Sequence, residues 1–179
     1  MKTYIEKLKG TSLPPPIADS KEILWAVAGS CIAILLIGML HRVYITATGL
    51  PLLIAPFGAS AVLVFGVFRS PLAQPRNVIA GHVFSALVGI SVYQVIGNEH
   101  EILAVSLAIP LAIGLMHITG TLHPPGGATA FITVAGGESI HNMGYWYALS
   151  PCLAGSALLV LVALCINNIP ARNRYPLFW

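Results

Sequence analysis

The sequence predicts an all-α membrane protein with six passages, arranged as two inverted three-passage repeats whose middle passages are broken half-helices. Three observations predict this. Of the 179 residues, 56% are apolar and only 8% charged, whereas soluble domains carry about 25% charged residues. Four stretches are long and apolar enough to span a bilayer. One short motif occurs twice, once in each half of the chain.

Composition comes first. Nine basic and six acidic side chains are too few to solvate the surface of a soluble fold of this length, so lipid is the solvent that fits. The net charge of +3 is small, and the basic residues sit at the chain ends and between apolar stretches. They read as topology signals and give no nucleic-acid patch. Cys31, Cys152 and Cys165 lie inside apolar runs without C-x-x-C spacing, as expected of small buried hydrophobes. Lys2, Lys7 and Lys9 are followed by Pro14-Pro15-Pro16, not by the apolar core of a signal peptide, and an Arg- and Ser-rich transit peptide is absent. Residues 1–20 are expected to form a cytoplasmic tail, with a turn of amphipathic helix at 3–9. Residues 21–170 form the transmembrane domain, and 171–179 a second cytoplasmic tail.

A helical span needs about 20 apolar residues at about 1.5 Å each. Residues 23–45, 78–96, 102–118 and 149–166 meet that requirement or nearly do. Segments 56–68 and 124–136 are apolar too, but as helices they reach only about 20 Å, roughly two-thirds of the hydrocarbon core. The charges favour full crossing over re-entry. With six passages, Lys2, Lys7, Lys9, Lys21, Arg69, Arg76, Arg172 and Arg174 share one side and Arg42 alone takes the other, with Glu99, Glu101 and Glu138. Such a bias puts both termini in the cytoplasm. Re-entry would move Arg69 and Arg76 outside and weaken it.

The repeat sets the handedness of the halves. Pro56-Phe57-Gly58-Ala59-Ser60-Ala61 matches Pro125-Gly126-Gly127-Ala128-Thr129-Ala130 in the pattern P-x-G-A-[ST]-A. Upstream, Ile45-Thr46-Ala47-Thr48-Gly49-Leu50 resembles Ile118-Thr119-Gly120-Thr121-Leu122. Downstream, Ser85-Ala86-Leu87 resembles Ser156-Ala157-Leu158. The repeats span about 23–96 and 102–167. Three passages per half start the second half on the opposite face, an arrangement used by many secondary transporters.

Residues 45–56 and 119–127 are rich in Thr, Gly and Pro and do not suit a regular helix. Such backbone survives at membrane depth only when buried in protein or lining a wet cavity. Each stretch leads to a proline and a helical run, and proline suits the first helical turn. Two half-helix N-termini near the midplane are therefore expected, each offering free N–H donors and about half a positive charge. Together they form a site for a small anion. Gly58, Ala59, Gly127 and Ala128 would let the ion approach the backbone, and Ser60 and Thr129 would add hydroxyls. No Asp or Glu lies inside a span, which argues against cation transport. Lys and Arg are missing there as well, so binding is weak and suits passage. The same motif also reads as a helix start followed by a small-residue packing face.

His82 and His123 are candidates to donate to the anion or to carry a proton, or else to pack as satisfied core histidines. His41, His100 and His141 fall at edges and read as solvated, and His117 reads as a packing residue. Asn77 opens the next helix as its N-cap and joins the candidate set. Arg69 and Arg76 flank residues 70–75, either as a surface anchor or as a basic vestibule. No H-x-x-x-H or H-E-x-x-H spacing exists, so no metal site is expected. No nucleophile with a partnered base and no cofactor motif appears, so neither enzyme activity nor a cofactor is expected.

His123-Pro124-Pro125-Gly126-Gly127-Ala128-Thr129-Ala130 resembles the signature of the HPP family of integral membrane proteins. Pro56 to Ala61, and Ser70-Pro71-Leu72-Ala73-Gln74-Pro75-Arg76-Asn77 with Gly81-His82, are similar to its other blocks, in the same order. Members in cyanobacteria and chloroplasts are implicated in nitrite transport, so the resemblance implies nitrite as substrate. With no transit peptide read at the start, a multi-pass protein of a bacterial or cyanobacterial inner (plasma) membrane is expected. The family is sometimes described with four spans, against the six preferred here. The expected partners are nitrite or a similar small anion and the lipid bilayer, with a homo-oligomer left open. The competing functions are a permease or channel for another small monovalent anion, and a non-transporting membrane subunit.

Overall fold

The computed structural model describes residues 4–9, 12–14, 16–97 and 99–179. Lys2, Pro15 and the first residue of the expected 3–9 helix lie outside them. Helix α1 (Tyr4–Lys7) covers part of that expected turn. Four long helices follow: α2 (Ser20–Thr48), α4 (Pro75–Val92), α5 (Glu101–Ile118) and α8 (Ala154–Asn167). Between them lie the short helices α3 (Pro56–Ala61), α6 (Pro124–Ala135) and α7 (Glu138–His141). Turns of π-helix prolong α3 (Val62–Gly66) and α4 (Tyr93–Gly97) and lead into α8 (Ala148–Leu153). No strand occurs among the described residues. With their π-turns, the four long helices are long and apolar enough to cross a membrane, and the protein is a multi-pass membrane protein.

Local chemistry sets the boundaries. The Asp19 carboxylate accepts from the backbone N–H of Lys21 (2.8 Å) and Glu22 (2.9 Å), capping α2. Gly49, at φ 72°, ends it in the left-handed conformation that glycine adopts without strain. Proline opens α3, α4 and α6, where its missing N–H leaves no intrahelical bond unmade. Helix α4 accordingly starts at Pro75, three residues before the expected Val78. This corrects the N-cap assignment of Asn77, which sits inside the first turn. Gln74 holds the N-cap position, and its buried amide donates to Phe68 O (2.9 Å) and Ser70 O (2.8 Å) and accepts from Leu177 N–H (2.8 Å). Helix α2 outruns the expected 23–45 at both ends because the Asp19 cap and Gly49, not the edge of the apolar run, stop it.

The long helices pack with the short ones in two groups: α2, α3 and α8 in one, α4, α5 and α6 in the other. Phe65, Ile37 and Leu159 belong to the core of the first group. Ala104, Ala108, Ala112 and Met116 form the buried stripe of α5 in the second. The two groups meet where Ile54 and Phe57 pack with Ala86 and Ile90 of α4, and with Tyr147 and Cys152. Cys152 is buried as expected, but Cys31 and Cys165 are exposed on the outer helix faces. They extend the apolar surface instead of filling the core, which corrects that expectation.

One end of the bundle gathers the start of α2, the end of α3, residues 69–75, the start of α4, and the end of α8 with its tail. Arg172 pairs with Asp19 (3.0 Å) there, Asn167 Nδ2 donates to Val64 O (2.9 Å), and Tyr175 O–H donates to Ala73 O (2.9 Å). Arg76 reaches the end of α5 through Thr119 O (2.7 Å). At the opposite end the His141 ring stacks on Tyr93 at 3.5 Å, and Ser150 O–H donates to Pro51 O (3.0 Å). His41 and His141 are therefore not simply solvated. His41 Nδ1 accepts from Leu52 N–H (3.0 Å) and Leu53 N–H (3.3 Å), pinning the extended segment that returns from α2.

Candidate functional site

Helix periodicity divides the first short helix into two faces. Pro56, Phe57, Ser60, Ala61 and Val64 point inward and are buried, while Gly58, Ala59 and Val62 point outward and are exposed. The second short helix repeats this. Pro125, Gly126, Thr129 and Ala130 are buried, Ala128 is exposed and Gly127 is half-buried. Gly58, Ala59, Gly127 and Ala128 thus do not join the inner cluster. A Cβ built on Gly58 or Gly127 meets nothing within 4 Å.

Ser60, His82, His123 and Thr129 do come together, all fully buried. Ser60 Oγ lies 2.7 Å from His82 Nε2 and 2.9 Å from His123 Nε2. His82 Nδ1 lies 2.7 Å from Thr129 Oγ1. His123 Nδ1 lies 2.8 Å from the carbonyl oxygen of Leu72. The rings of His82 and His123 are edge-on with centroids 5.1 Å apart, and Phe57 stands edge-on to His82 at the same distance.

The proton positions follow from one fixed point. A carbonyl oxygen only accepts, so His123 Nδ1 carries a hydrogen and donates to Leu72. With a neutral ring, His123 Nε2 then accepts the Ser60 hydroxyl. That hydroxyl has one proton, so His82 Nε2–H must donate to Ser60 Oγ. His82 Nδ1 is left to accept from Thr129 O–H. Every bond in the row runs the same way with both imidazoles neutral, so a buried polar cluster is satisfied without formal charge.

Close packing holds the row in place. Helices α4 and α6 run parallel and approach so closely that a Cβ on Gly81 would stand 2.5 Å from His123 Cβ and 3.2 Å from Thr121 O. A Cβ on Gly126 would stand 2.6 Å from Ser85 Oγ and 2.9 Å from Gly81 O. Only glycine permits either contact. Asn77 Nδ2 donates to Leu122 O (3.0 Å), steadying the strand-like residues before His123, and its Oδ1 is buried with no hydrogen-bond partner. The tight glycines, the Leu72 carbonyl and the Tyr147 hydroxyl, which is also buried without a partner, escape sequence reasoning. Gly81 and Gly126 carry a signal only in hindsight, as glycines inside apolar helical runs.

The starts of the two short helices differ from the expectation. They pass alongside each other, because Ser60 is the fifth residue of α3 while His123 directly precedes α6. Few N–H groups are left free. Phe57 N–H donates to Ile54 O (3.0 Å), Gly58 N–H to Ala55 O (3.0 Å), and Gly126 N–H to His123 O (2.8 Å). Pro56, Pro124 and Pro125 have no N–H. The polar groups a guest would meet are side chains, not helix ends.

A family profile described as the HPP transmembrane region matches residues 15–176. Two transmembrane proteins of Dictyostelium discoideum are each 43% identical over alignments covering 98% of this chain. The chain spans 57% of the length of one and 63% of the other. No solved structure matches it. A profile spanning nearly the whole chain, with the buried histidines and both proline-led motifs inside its limits, places this protein in the HPP family of transmembrane proteins.

Proposed function

We propose that the protein is a permease for a small monovalent anion, nitrite by the family resemblance, whose path runs through Ser60, His82, His123 and Thr129. One observation carries the reading. Four polar side chains from both halves of the chain meet in a charge-free core, at the place where two proline-led short helices pass each other. Hydroxyl and imidazole donors suit an anion, and no Asp or Glu is buried among the described residues to repel one. Gly58, Ala59, Gly127 and Ala128 then serve the outer packing face, and Asn77 Oδ1 flanks the path. No enzyme activity, cofactor or metal belongs to this reading.

The transport fold is six passages in two inverted repeats. Supporting it, α3 with its π-turn packs on α2 and α8 as α6 packs on α5 and α4. Exchange of the halves maps one set of pairings onto the other, with the last helix of each half packed into the opposite group. Lys21, Arg69, Arg76, Arg172 and Arg174 lie toward the end where the tail binds, a bias that supports a cytoplasmic position for both termini. Rocking of the two groups about the cluster would open it to each side in turn.

Nitrite flux into liposomes carrying the purified chain tests the proposal, with nitrate and formate as parallel substrates and protein-free vesicles subtracted. Saturable nitrite uptake that Thr129→Val reduces supports it. Uptake of another anion only would change the substrate. No flux of any anion, with a partner co-purifying, would leave a non-transporting subunit.

A further inference from the structure

The neutral row leaves no donor for an anion. Thr129 O–H, His82 Nε2–H, Ser60 O–H and His123 Nδ1–H each already have an acceptor. Around the rings stand Phe57, Ser60 and Thr129, with Tyr147 and Cys152 behind Phe57. Arg76, on the same helix as His82, is exposed and sends its guanidinium to Thr119 O. No Asp, Glu, Lys or Arg is buried among the described residues. A bare anion entering this core would bring an uncompensated charge and find every hydrogen bond occupied.

One added proton changes both conditions. Protonation of His82 Nδ1 turns that nitrogen into a donor to Thr129 Oγ1. The Thr129 hydroxyl is then released, and a second acceptor, Pro125 O, lies 3.4 Å away. Protonation of His123 Nε2 likewise releases the Ser60 hydroxyl, with Pro56 O at 3.3 Å. Each hydroxyl thus has a place to turn when its ring takes a proton, and nothing is orphaned. The result is one positive charge and, beside it, a hydroxyl held only by a long bond to a carbonyl, which an anion can draw away.

We propose that each anion crosses with one proton held on the His82–Ser60–His123 relay, making transport an electroneutral one-to-one symport. This rests on the permease reading. The proton enters at His82 Nδ1. His82 Nε2–H passes its proton to Ser60 Oγ as Ser60 passes its own to His123 Nε2, so the charge moves between rings with no net gain or loss of hydrogen. After the anion has crossed, the reverse of this transfer returns the charge to His82, whose Nδ1 gives up the added proton to water on the side then open. The Thr129 hydroxyl turns back to His82 Nδ1 and the row regains its starting tautomers, the Leu72 carbonyl holding His123 Nδ1–H throughout. That carbonyl sets the polarity of the resting row.

The test uses the full chain in liposomes, with nitrite, an imposed pH gradient and an independent potassium–valinomycin potential, protein-free vesicles being subtracted. A one-to-one symport accumulates nitrite about tenfold for each unit of inward proton gradient and ignores the potential. Uptake that follows the potential and ignores the pH gradient overturns the coupling while leaving a permease. Absence of any anion flux removes the permease and the coupling with it. A second measurement needs no transport: ¹⁵N spectra of the wild-type histidines in lipid at neutral pH. The row requires His82 protonated on Nε2 and His123 on Nδ1, and the reverse tautomers would overturn it.

Discussion

Replacing Ser60 with Ala removes the one atom that joins both imidazoles. His82 Nε2–H loses its acceptor and His123 Nε2 its donor, since both bonds, at 2.7 and 2.9 Å, end on Ser60 Oγ. Ser60, His82 and His123 are fully buried, and deleting a hydroxyl opens too little space for a replacement water. Each orphaned polar atom costs about 1–3 kcal/mol, so the change should destabilise by about 2–6 kcal/mol. That is a large part of an ordinary stability of about 5–15 kcal/mol. Thermal or denaturant unfolding of the purified chain in lipid measures it, with Ser30→Ala as control. Ser30 is half-buried and bonds only back to Val27 O at 3.1 Å, so its loss should stay within about 0.5 kcal/mol. A Ser60→Ala protein as stable as that control would mean that the row of bonds is not formed. The proton assignment and the coupling argument would both fall.

Three further outcomes are expected. Gly81→Ala forces a Cβ to within 2.5 Å of His123 Cβ; overpacking of this kind costs about 1–3 kcal/mol, and unfolding should show it together with reduced flux, whereas an unchanged melting curve would refute the tight crossing. Gly58→Leu places its side chain in open space on the outer face, so flux per folded molecule should hold, and a block would return that face to the path. Backbone N–H from Glu22, and then Arg172, hold the Asp19 carboxyl below its usual range. Its contribution is therefore present above the unfolded value of about 3.9 and is lost as pH falls through the lower folded value. Hydrogen exchange at the start of α2 and in the C-terminal tail should rise together below about pH 4, and independent opening of the two would refute the link.

Much of this architecture was legible in the sequence because lipid imposes simple rules. Apolar length gave the long helices, and proline gave the starts of α3 and α6 to within a residue. Ser60, Thr129, His82 and His123 were nameable as polar groups inside apolar runs, where a polar side chain needs a partner. Their partners were not legible. Whether Ser60 faces His123 or lipid depends on how α3 rolls against α4 and α6, and a six-residue helix of small side chains carries little periodic signal to fix that roll. The helix-end site failed for a related reason. Free N–H groups at a helix start are expected from geometry, but the turn at Ala55, with φ −54° and ψ −39°, lets Phe57 and Gly58 bond backward before α3 begins. The cap of α4 was misplaced because Pro75 and Asn77 are both good first-turn residues, and only the contact with Leu122 separates them.

The absence of formal charge in the core bears directly on how a carrier would cycle. A buried Lys or Arg would hold an anion whether or not a proton accompanied it, and release would then have to overcome a permanent attraction. In this core the attraction exists only while a ring is protonated. When the proton leaves, the site reverts to a satisfied neutral row, and the anion loses its counter-charge and its hydroxyl donor in the same step. Binding and release are thereby tied to one proton without any large movement of the four side chains. A Lys introduced at Thr129, in reach of the same acceptors, would make the charge permanent. Such a variant should bind nitrite without acidification yet turn over slowly, and rapid turnover with unchanged pH dependence would show that the proton does not control release.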